Sequence, residues 1–280
     1  MPIITRVWLN SVHQVRLFFV ALQFFTRLPI PRWVGFDAAW LQHAARYFPL
    51  VGLLVAALVG TVYSVAALCL PQAVAVLLST AFGILLTGAF HEDGFADVCD
   101  GFGGGMTPAR VLDIMTDSRV GAYGAIGISL LLALKCATLS YLPAHLVVVA
   151  LLLAHPASRL AAAALIVCLD YVRAEGKAKP LAHQMSRGEV AIAAITTAIP
   201  ILLIGLFDNR LGSVSAGFSW SSILAGLSAI GLTTLWLGRM FVRRIGGYTG
   251  DCLGAVQQVT EVAFYLTVLA MQVQHAVPTH

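Results

Sequence analysis

Residues 48–90 read FPLVGLLVAALVGTVYSVAALCLPQAVAVLLSTAFGILLTGAF, without one charged side chain. A bilayer core takes about 20 apolar residues per helical crossing. Pro71 divides the run into two such lengths, 48–70 and 72–90. Proline ends one helix and suits the start of the next. The stretch predicts a transmembrane hairpin, so residues 48 and 90 lie on the same side of the membrane.

Five more apolar segments follow, near 120–142, 144–169, 189–207, 218–240 and 253–273. An eighth, 15–28, is shorter and bounded by arginines; it spans, re-enters or lies in the interface. The chain of 280 residues is 59% hydrophobic and 11% charged, with mean hydropathy +0.87. Soluble domains carry about 25% charged residues. The expected fold is an all-α, polytopic membrane helix bundle with about 7–8 transmembrane or membrane-embedded helices, forming a single integral domain over 1–280. No internal repeat stands out, which weighs against a transporter of inverted halves. No small-residue cleavage site follows the first apolar run, so it reads as an uncleaved membrane segment. Cys69, Cys99, Cys136, Cys168 and Cys252 lack zinc or redox spacing and read as packing residues.

Walking on from residue 90, the segments 91–119, 170–188 and 241–252 fall on one side. Arg110, Arg119, Arg173, Lys177, Lys179, Arg187, Arg243 and Arg244 lie there, and Arg210 lies opposite. By the positive-inside rule that side faces the cytoplasm. The net charge of +4 then reflects topology, with no call for nucleic acid.

The first of those segments carries the chemistry. Residues 91–105 read HEDGFADVCDGFGGG, and Asp93, Asp97 and Asp100 follow i, i+4, i+7 spacing. On a helix they share a face, where like charges repel unless a cation sits among them. Hard oxygen donors suit Mg²⁺ or Mn²⁺, and at a bilayer edge they point to metal-assisted phosphate chemistry. A solvated acidic loop needs neither that spacing nor so many glycines. Gly101, Gly103, Gly104 and Gly105 are expected to break the helix after Asp100. Thr107-Pro108 reads as the cap and first turn of a helix over 108–117, which puts Asp113 and Asp117 on one face. Arg119 next to Asp117 holds a phosphate or pairs with an acid.

A second glycine-rich segment, Gly246-Gly247-Tyr248-Thr249-Gly250-Asp251, precedes the last span and follows Arg243-Arg244. Free N–H groups at a helix start favour anions, so the segment reads as a phosphate cradle, with plain helix capping as the alternative. Three charges fall well inside spans, away from their ends. Glu261 is a functional candidate by cost alone. Arg159, three residues after Pro156, is expected to lean toward the acidic or phosphate site. Lys135 is expected to snorkel to the opposite face. The basic loop from Arg173 to Lys179 receives an anionic nucleotide or only sets topology. His91, one turn above the acidic face, is the histidine that stands apart.

Together these motifs resemble the cobalamin synthase family, the adenosylcobinamide-GDP ribazoletransferases. The likeness covers nearly the whole chain. It runs through Phe25-Thr26-Arg27-Leu28-Pro29-Ile30-Pro31, Phe48-Pro49-Leu50-Val51-Gly52, His91-x-Asp93-Gly94-x-Ala96-Asp97-x-x-Asp100-Gly101, Met115-x-Asp117-Ser118-Arg119-x-Gly121, Ser158-Arg159 and Gly246-Gly247-x-Thr249-Gly250-Asp251-x-x-Gly254-Ala255. Glu92 and Asp113 stand where this family often has leucine and glutamate.

The resemblance implies a multi-pass inner-membrane enzyme facing the cytoplasm and requiring Mg²⁺. It implies transfer of adenosylcobinamide phosphate from adenosylcobinamide-GDP to α-ribazole or its 5′-phosphate, with release of GMP. The expected metal ligands are Asp93, Asp97, Asp100 and Asp117, and the general base is Asp113 or Asp117. Arg119 and Arg159 are expected to clamp phosphate, with Gly247, Thr249, Gly250 and Asp251 closing the substrate site. The lipid bilayer and other cobalamin-assembly enzymes are the expected partners besides the substrates. A CDP-alcohol phosphotransferase would share the metal chemistry with longer spacing between the acidic halves. A cation transporter would instead place carboxylates near the midplane.

Overall fold

The computed structural model describes residues 3–173, 185–208 and 219–276. Residues 174–184, with Lys177 and Lys179, and residues 209–218, with Arg210, lie outside these. The described residues form eleven α-helices: α1 (Ile3–Phe25), α2 (Ala38–Ala44), α3 (Phe48–Ala67), α4 (Gln72–Thr87), α5 (Phe90–Gly104), α6 (Pro108–Ile114), α7 (Ala122–Tyr141), α8 (Ala144–Cys168), α9 (Arg187–Asp208), α10 (Trp220–Ile245) and α11 (Gly250–Ala276).

Six helical runs among the described residues are long and apolar enough to cross a membrane, and α4 and α5 meet the same test only when the bent pair is counted as one span. The bundle is therefore the expected one. Its outer helices present large apolar side chains, among them Leu77, Ile126, Leu130, Ile195, Leu232 and Trp236, as a lipid-facing surface needs. In α8 and α11, 83% and 72% of the most apolar stretch is buried, against 39% or less in the other runs, so these two helices form the centre. On the side away from the acidic segment, Gln72 Nε2 donates to Leu139 O at 3.1 Å and Leu142 O at 2.7 Å, tying the α3–α4 turn to the α7–α8 turn.

The second arm of the hairpin differs from the expected 72–90. α4 stops at Thr87, because Gly88 (φ 66°) and Ala89 (φ 58°) are both left-handed. Two such residues reverse the local path, and α5 leaves at 89° to α4. At 1.5 Å per residue, α4 covers about 24 Å. α5 lies across the end of the bundle, outside the crossings. It also runs on to Gly104, past the break expected after Asp100. Glycine lowers helix propensity by about 1 kcal/mol per residue, and packing against α11 and α7 offsets that here.

α6 starts as expected, with Thr107 Oγ1 accepting from Arg110 N at 3.3 Å. It ends at Ile114, so Asp117 falls in the following turn and shares no helical face with Asp113. The segment 15–28 belongs to the longer α1. Gln14 accepts a hydrogen bond from Tyr47 at 2.7 Å, and the Phe25 ring lies 4.5 Å from Phe48. Eleven residues of helix, about 16 Å, thus separate two contacts with the same end of α3. α1 crosses over the bundle end and does not span it.

Candidate active site

α5 reaches α11 at Gly94, where an added Cβ would lie 3.0 Å from Asp251 Cα. That contact sets Asp93 and Asp97 beside Asp251, in the first turn of α11. Thr249 caps this helix, its Oγ1 accepting from Cys252 N at 3.4 Å and donating to Asp251 Oδ2 at 3.2 Å. The chain from Asp170 to Val172 pairs with the segment before α11: Tyr248 N donates to Asp170 O at 2.9 Å, and Val172 N donates to Tyr248 O at 3.0 Å. Gly247 makes this possible, since a Cβ there would sit 2.2 Å from Asp170 O. The pairing carries Arg173 to Asp251, at 2.8 Å.

Asp93, Asp97, Asp117, Ser118, Arg173, Gly250 and Asp251 line one open cavity of about 410 Å³. Four carboxylates face one guanidinium across it. Burial, then the charges of Asp251 and Asp93, push the Asp97 carboxyl up to about 7. A carboxylate so destabilised is short of positive charge. The donor chemistry therefore fits a hard divalent cation. Among the described residues, however, no three Asp, Glu, His or Cys side chains stand close enough together to hold one.

The expected ligand set is split. Asp100 faces away from the cavity and accepts from Gly121 N at 2.7 Å and Gly124 N at 2.8 Å, which fastens the start of α7 to α5. Negative charge at a helix N-terminus is its own reward, so Asp100 has a structural task. Asp117 is exposed and bonded twice by Arg119 Nε and Nη2, at 3.0 and 2.7 Å; these bonds hold its carboxyl at about 2. Asp113 is exposed, pairs with Arg110 and lines a neighbouring cavity of about 680 Å³, together with Asp117, Arg119 and Tyr123. Asp117, as a base candidate, is held away from neutrality by Arg119.

Arg159 differs from the expected clamp. It is 2% exposed, lies deep in α8 and does not line the acidic cavity. Pro156 sits within α8, which runs unbroken from Ala144 to Cys168. Lys135 does not snorkel either: it is buried and meets Glu261 at 2.5 Å. Of the cradle residues, Gly250 and Asp251 reach the cavity, while Gly247 and Thr249 are buried in the backbone pairing and the cap. Arg244 Nη2 donates to Phe102 O at 2.9 Å and Gly105 O at 2.7 Å, capping the far end of α5. His91 stacks on Phe25 with centroids 5.3 Å apart and is buried. The five cysteines are free thiols.

Arg173 reads in the sequence as part of a basic loop that receives a nucleotide or only sets topology, and that reading does not place it beside Asp251. The signal was Asp170-Tyr171-Val172 before it, a short extended segment able to pair with Gly247-Tyr248.

The family model described as Cobalamin-5-phosphate synthase matches residues 17–269. A protein named adenosylcobinamide-GDP ribazoletransferase from Ralstonia pickettii (strain 12J) is 47% identical over 255 residues, covering 89% of this chain and 93% of its own. One of the same name from Shewanella frigidimarina (strain NCIMB 400) is 44% identical over 275 residues, covering 94% and 97%. Another, from Leptothrix cholodnii (strain ATCC 51168 / LMG 8142 / SP-6), is 42% identical over 266 residues, covering 92% and 97%. No solved structure matches the chain.

Proposed function

The chain belongs to the cobalamin-5-phosphate synthase family, and we propose that it performs the reaction for which its relatives are named. It transfers the adenosylcobinamide-phosphate moiety of adenosylcobinamide-GDP to a ribose hydroxyl that α-ribazole and its 5′-phosphate both carry free, with GMP as the leaving group. The observation that carries the site assignment is the meeting of Asp93, Asp97, Asp251 and Arg173 around one cavity at the end of the bundle.

Mg²⁺ taken up through one or two of the carboxylates of Asp93, Asp97 and Asp251, with substrate phosphate and water as its other ligands, would neutralise charge on the pyrophosphate and on the departing GMP. Arg173 supplies the protein's own positive charge at the same wall and grips a phosphate oxygen when Asp251 releases it. Arg119, which holds Asp117 through Nε and Nη2, has Nη1 left to donate to a second phosphate oxygen. Asp117 accepts a hydrogen bond from the attacking hydroxyl and orients it in line with the phosphorus attached to cobinamide. A carboxylate held near 2 is a weak base. Phosphoryl transfer rests mainly on positioning and charge stabilisation, so this suffices. The P–O bond to GMP breaks as the new P–O bond forms, and the hydroxyl proton leaves to solvent through the open cavity.

The enzyme sits in the inner membrane with this cavity on the cytoplasmic side. The arginine bias of the site-bearing loops supports that orientation, and both soluble substrates reach the cavity from there. Other cobalamin-assembly enzymes that supply the activated corrinoid are candidate neighbours at the same face. Detergent-purified protein incubated with adenosylcobinamide-GDP and α-ribazole tests the reading, with and without Mg²⁺, for wild type and Asp97→Ala. Metal-dependent GMP and a cobalamin product, lost in the variant, are expected. Folded wild type that forms no product with either ribazole form refutes it.

A further inference from the structure

Beneath the acidic cavity lies a layer of buried charge that the transfer reaction does not use. Lys135 on α7 and Glu261 on α11 neutralise each other at 2.5 Å. Glu261 is also saturated, accepting from Gln257 Nε2 at 2.6 Å and Tyr265 Oη at 3.0 Å. One charge of each sign is left over.

Arg159 is the positive one. Its Nη1 donates to His155 O at 3.1 Å and lies 3.3 Å from His155 Nδ1. Its Nε has no hydrogen-bond partner, and no carboxylate among the described residues lies within ion-pair distance. Glu92 is the negative one, 8% exposed in the first turn of α5. Its Oε1 accepts from Gln258 Nε2 at 2.8 Å, and its Oε2 has no partner. A buried charge without a partner costs several kcal/mol, so two of opposite sign close together call for a link.

The link has a place. Arg159 and Glu92 line one cavity of about 20 Å³, shared with His155, Gln257, Gln258 and Glu261. His155 Nε2, Gln257 Oε1 and Gln258 Oε1 also lack hydrogen-bond partners. A water molecule needs roughly 10–15 Å³ and two to four polar partners. The cavity offers the room and both donors and acceptors.

We propose that this cavity is a structural water site joining Arg159 to Glu92, and that Arg159 acts on the reaction as a positioning residue, by holding the first turn of α5 through that water. α5 needs such a hold. It does not cross the membrane, it is rich in glycine, and it begins right after two left-handed residues. Glu92 adjoins Asp93 in sequence, so the turn that Arg159 secures is the one that presents Asp93 and Asp97 to Asp251. The inference rests on the reading of that carboxylate face as the active one.

A double-mutant cycle tests it in the full-length, detergent-purified protein, with Arg159→Met, Glu92→Leu and the pair. Three quantities are read: thermal unfolding, hydrogen exchange of the α5 amides, and kcat and KM for GMP release. Each single variant is expected to speed α5 exchange about tenfold while leaving α10 unchanged. Each is expected to lower kcat about tenfold, with KM for the nucleotide substrate within about twofold. The double variant is expected to be no worse than either single, since both cut one link. Glu92→Gln, which keeps an acceptor for Gln258, is expected to recover most of kcat.

Losses in kcat that multiply in the double variant overturn the proposal. So does an Arg159→Met protein whose KM rises tenfold with α5 exchange unchanged, because that marks direct contact with substrate. If Arg159→Met fails to fold, the double variant, in which both charges are gone, is expected to fold; α5 exchange like wild type in that protein also overturns the link. Exchange needs no substrate, so it reports on the water link even where wild type releases no GMP.

Discussion

Asp97→Asn should make the metal-free protein more stable at alkaline pH, although it removes a residue of the active cavity. The Asp97 carboxyl is raised from the ordinary 3.8 to about 7 by burial and by Asp251 and Asp93. The folded state therefore favours its protonated form. That contribution is complete below pH ~4 and is lost as pH rises through about 7. The elevation corresponds to about 4 kcal/mol at roughly 1.4 kcal/mol per pH unit. Asp97 is only half-buried, and solvent screening reduces this to about 2 kcal/mol. The assay is thermal unfolding in detergent with EDTA, from pH 4.5 to 8.5. Wild type should lose about 5 °C across the range, with the steepest change at about pH 5–6 and a levelling off above about 7. Asp97→Asn should be flat through that region. Mg²⁺ should restore wild type at pH 8.5 and leave the variant unmoved, because a cation among the carboxylates replaces the lost proton. Equal pH slopes for wild type and Asp97→Asn would refute the crowding of Asp93, Asp97 and Asp251. Restoration of both proteins by Mg²⁺ would place the cation elsewhere.

Arg173→Ala should raise KM for the GDP-bearing substrate at least tenfold in steady-state GMP release, with Arg173→Lys intermediate, because a guanidinium binds phosphate through two donors. Asp100→Ala should cost about 1–2 kcal/mol in thermal unfolding by uncapping α7, while Asp100→Asn keeps an acceptor and most of both stability and turnover; a stable but inactive Asp100→Asn would return Asp100 to the ligand set. Lys135→Met should cost about 3–5 kcal/mol by stranding Glu261, and Lys135→Met/Glu261→Gln should recover most of that in the same unfolding assay. Asp113→Ala should retain turnover within about threefold, since its carboxylate pairs with Arg110 in solvent and lines the neighbouring cavity; loss of turnover with intact folding would make it the base.

The sequence disclosed what depends on one segment at a time. Apolar length located the crossings, because lipid leaves a helix no other way to satisfy its backbone. Thr107-Pro108 placed the start of α6 for the same local reason. The i, i+4, i+7 acids marked α5, and that helix does hold Asp93 and Asp97 to one cavity. Reading failed where a residue's task depends on a partner distant in the chain. Asp100 carries the same charge as Asp97 three residues earlier, yet it serves α7, because Gly121 and Gly124 come up beneath it. Lys135 has the long stem of a snorkelling lysine, and only Glu261, more than a hundred residues away, holds it inside. Arg173 is one of many arginines until Gly247 lets two strands of backbone meet. The two left-handed residues after α4 are the least legible of all, since Ala89 gives no sign in composition that its φ will be positive. Yet that turn decides the site. A straight continuation of α4 would have carried Glu92 and Asp93 beyond the bundle end, with nothing opposite them. Bent by 89°, α5 lies along the tops of α7 and α11 and brings its acids to Asp251. The proposed catalytic face is thus made by the bend between α4 and α5, and on the proposed water link the buried charges under it help to hold the start of α5.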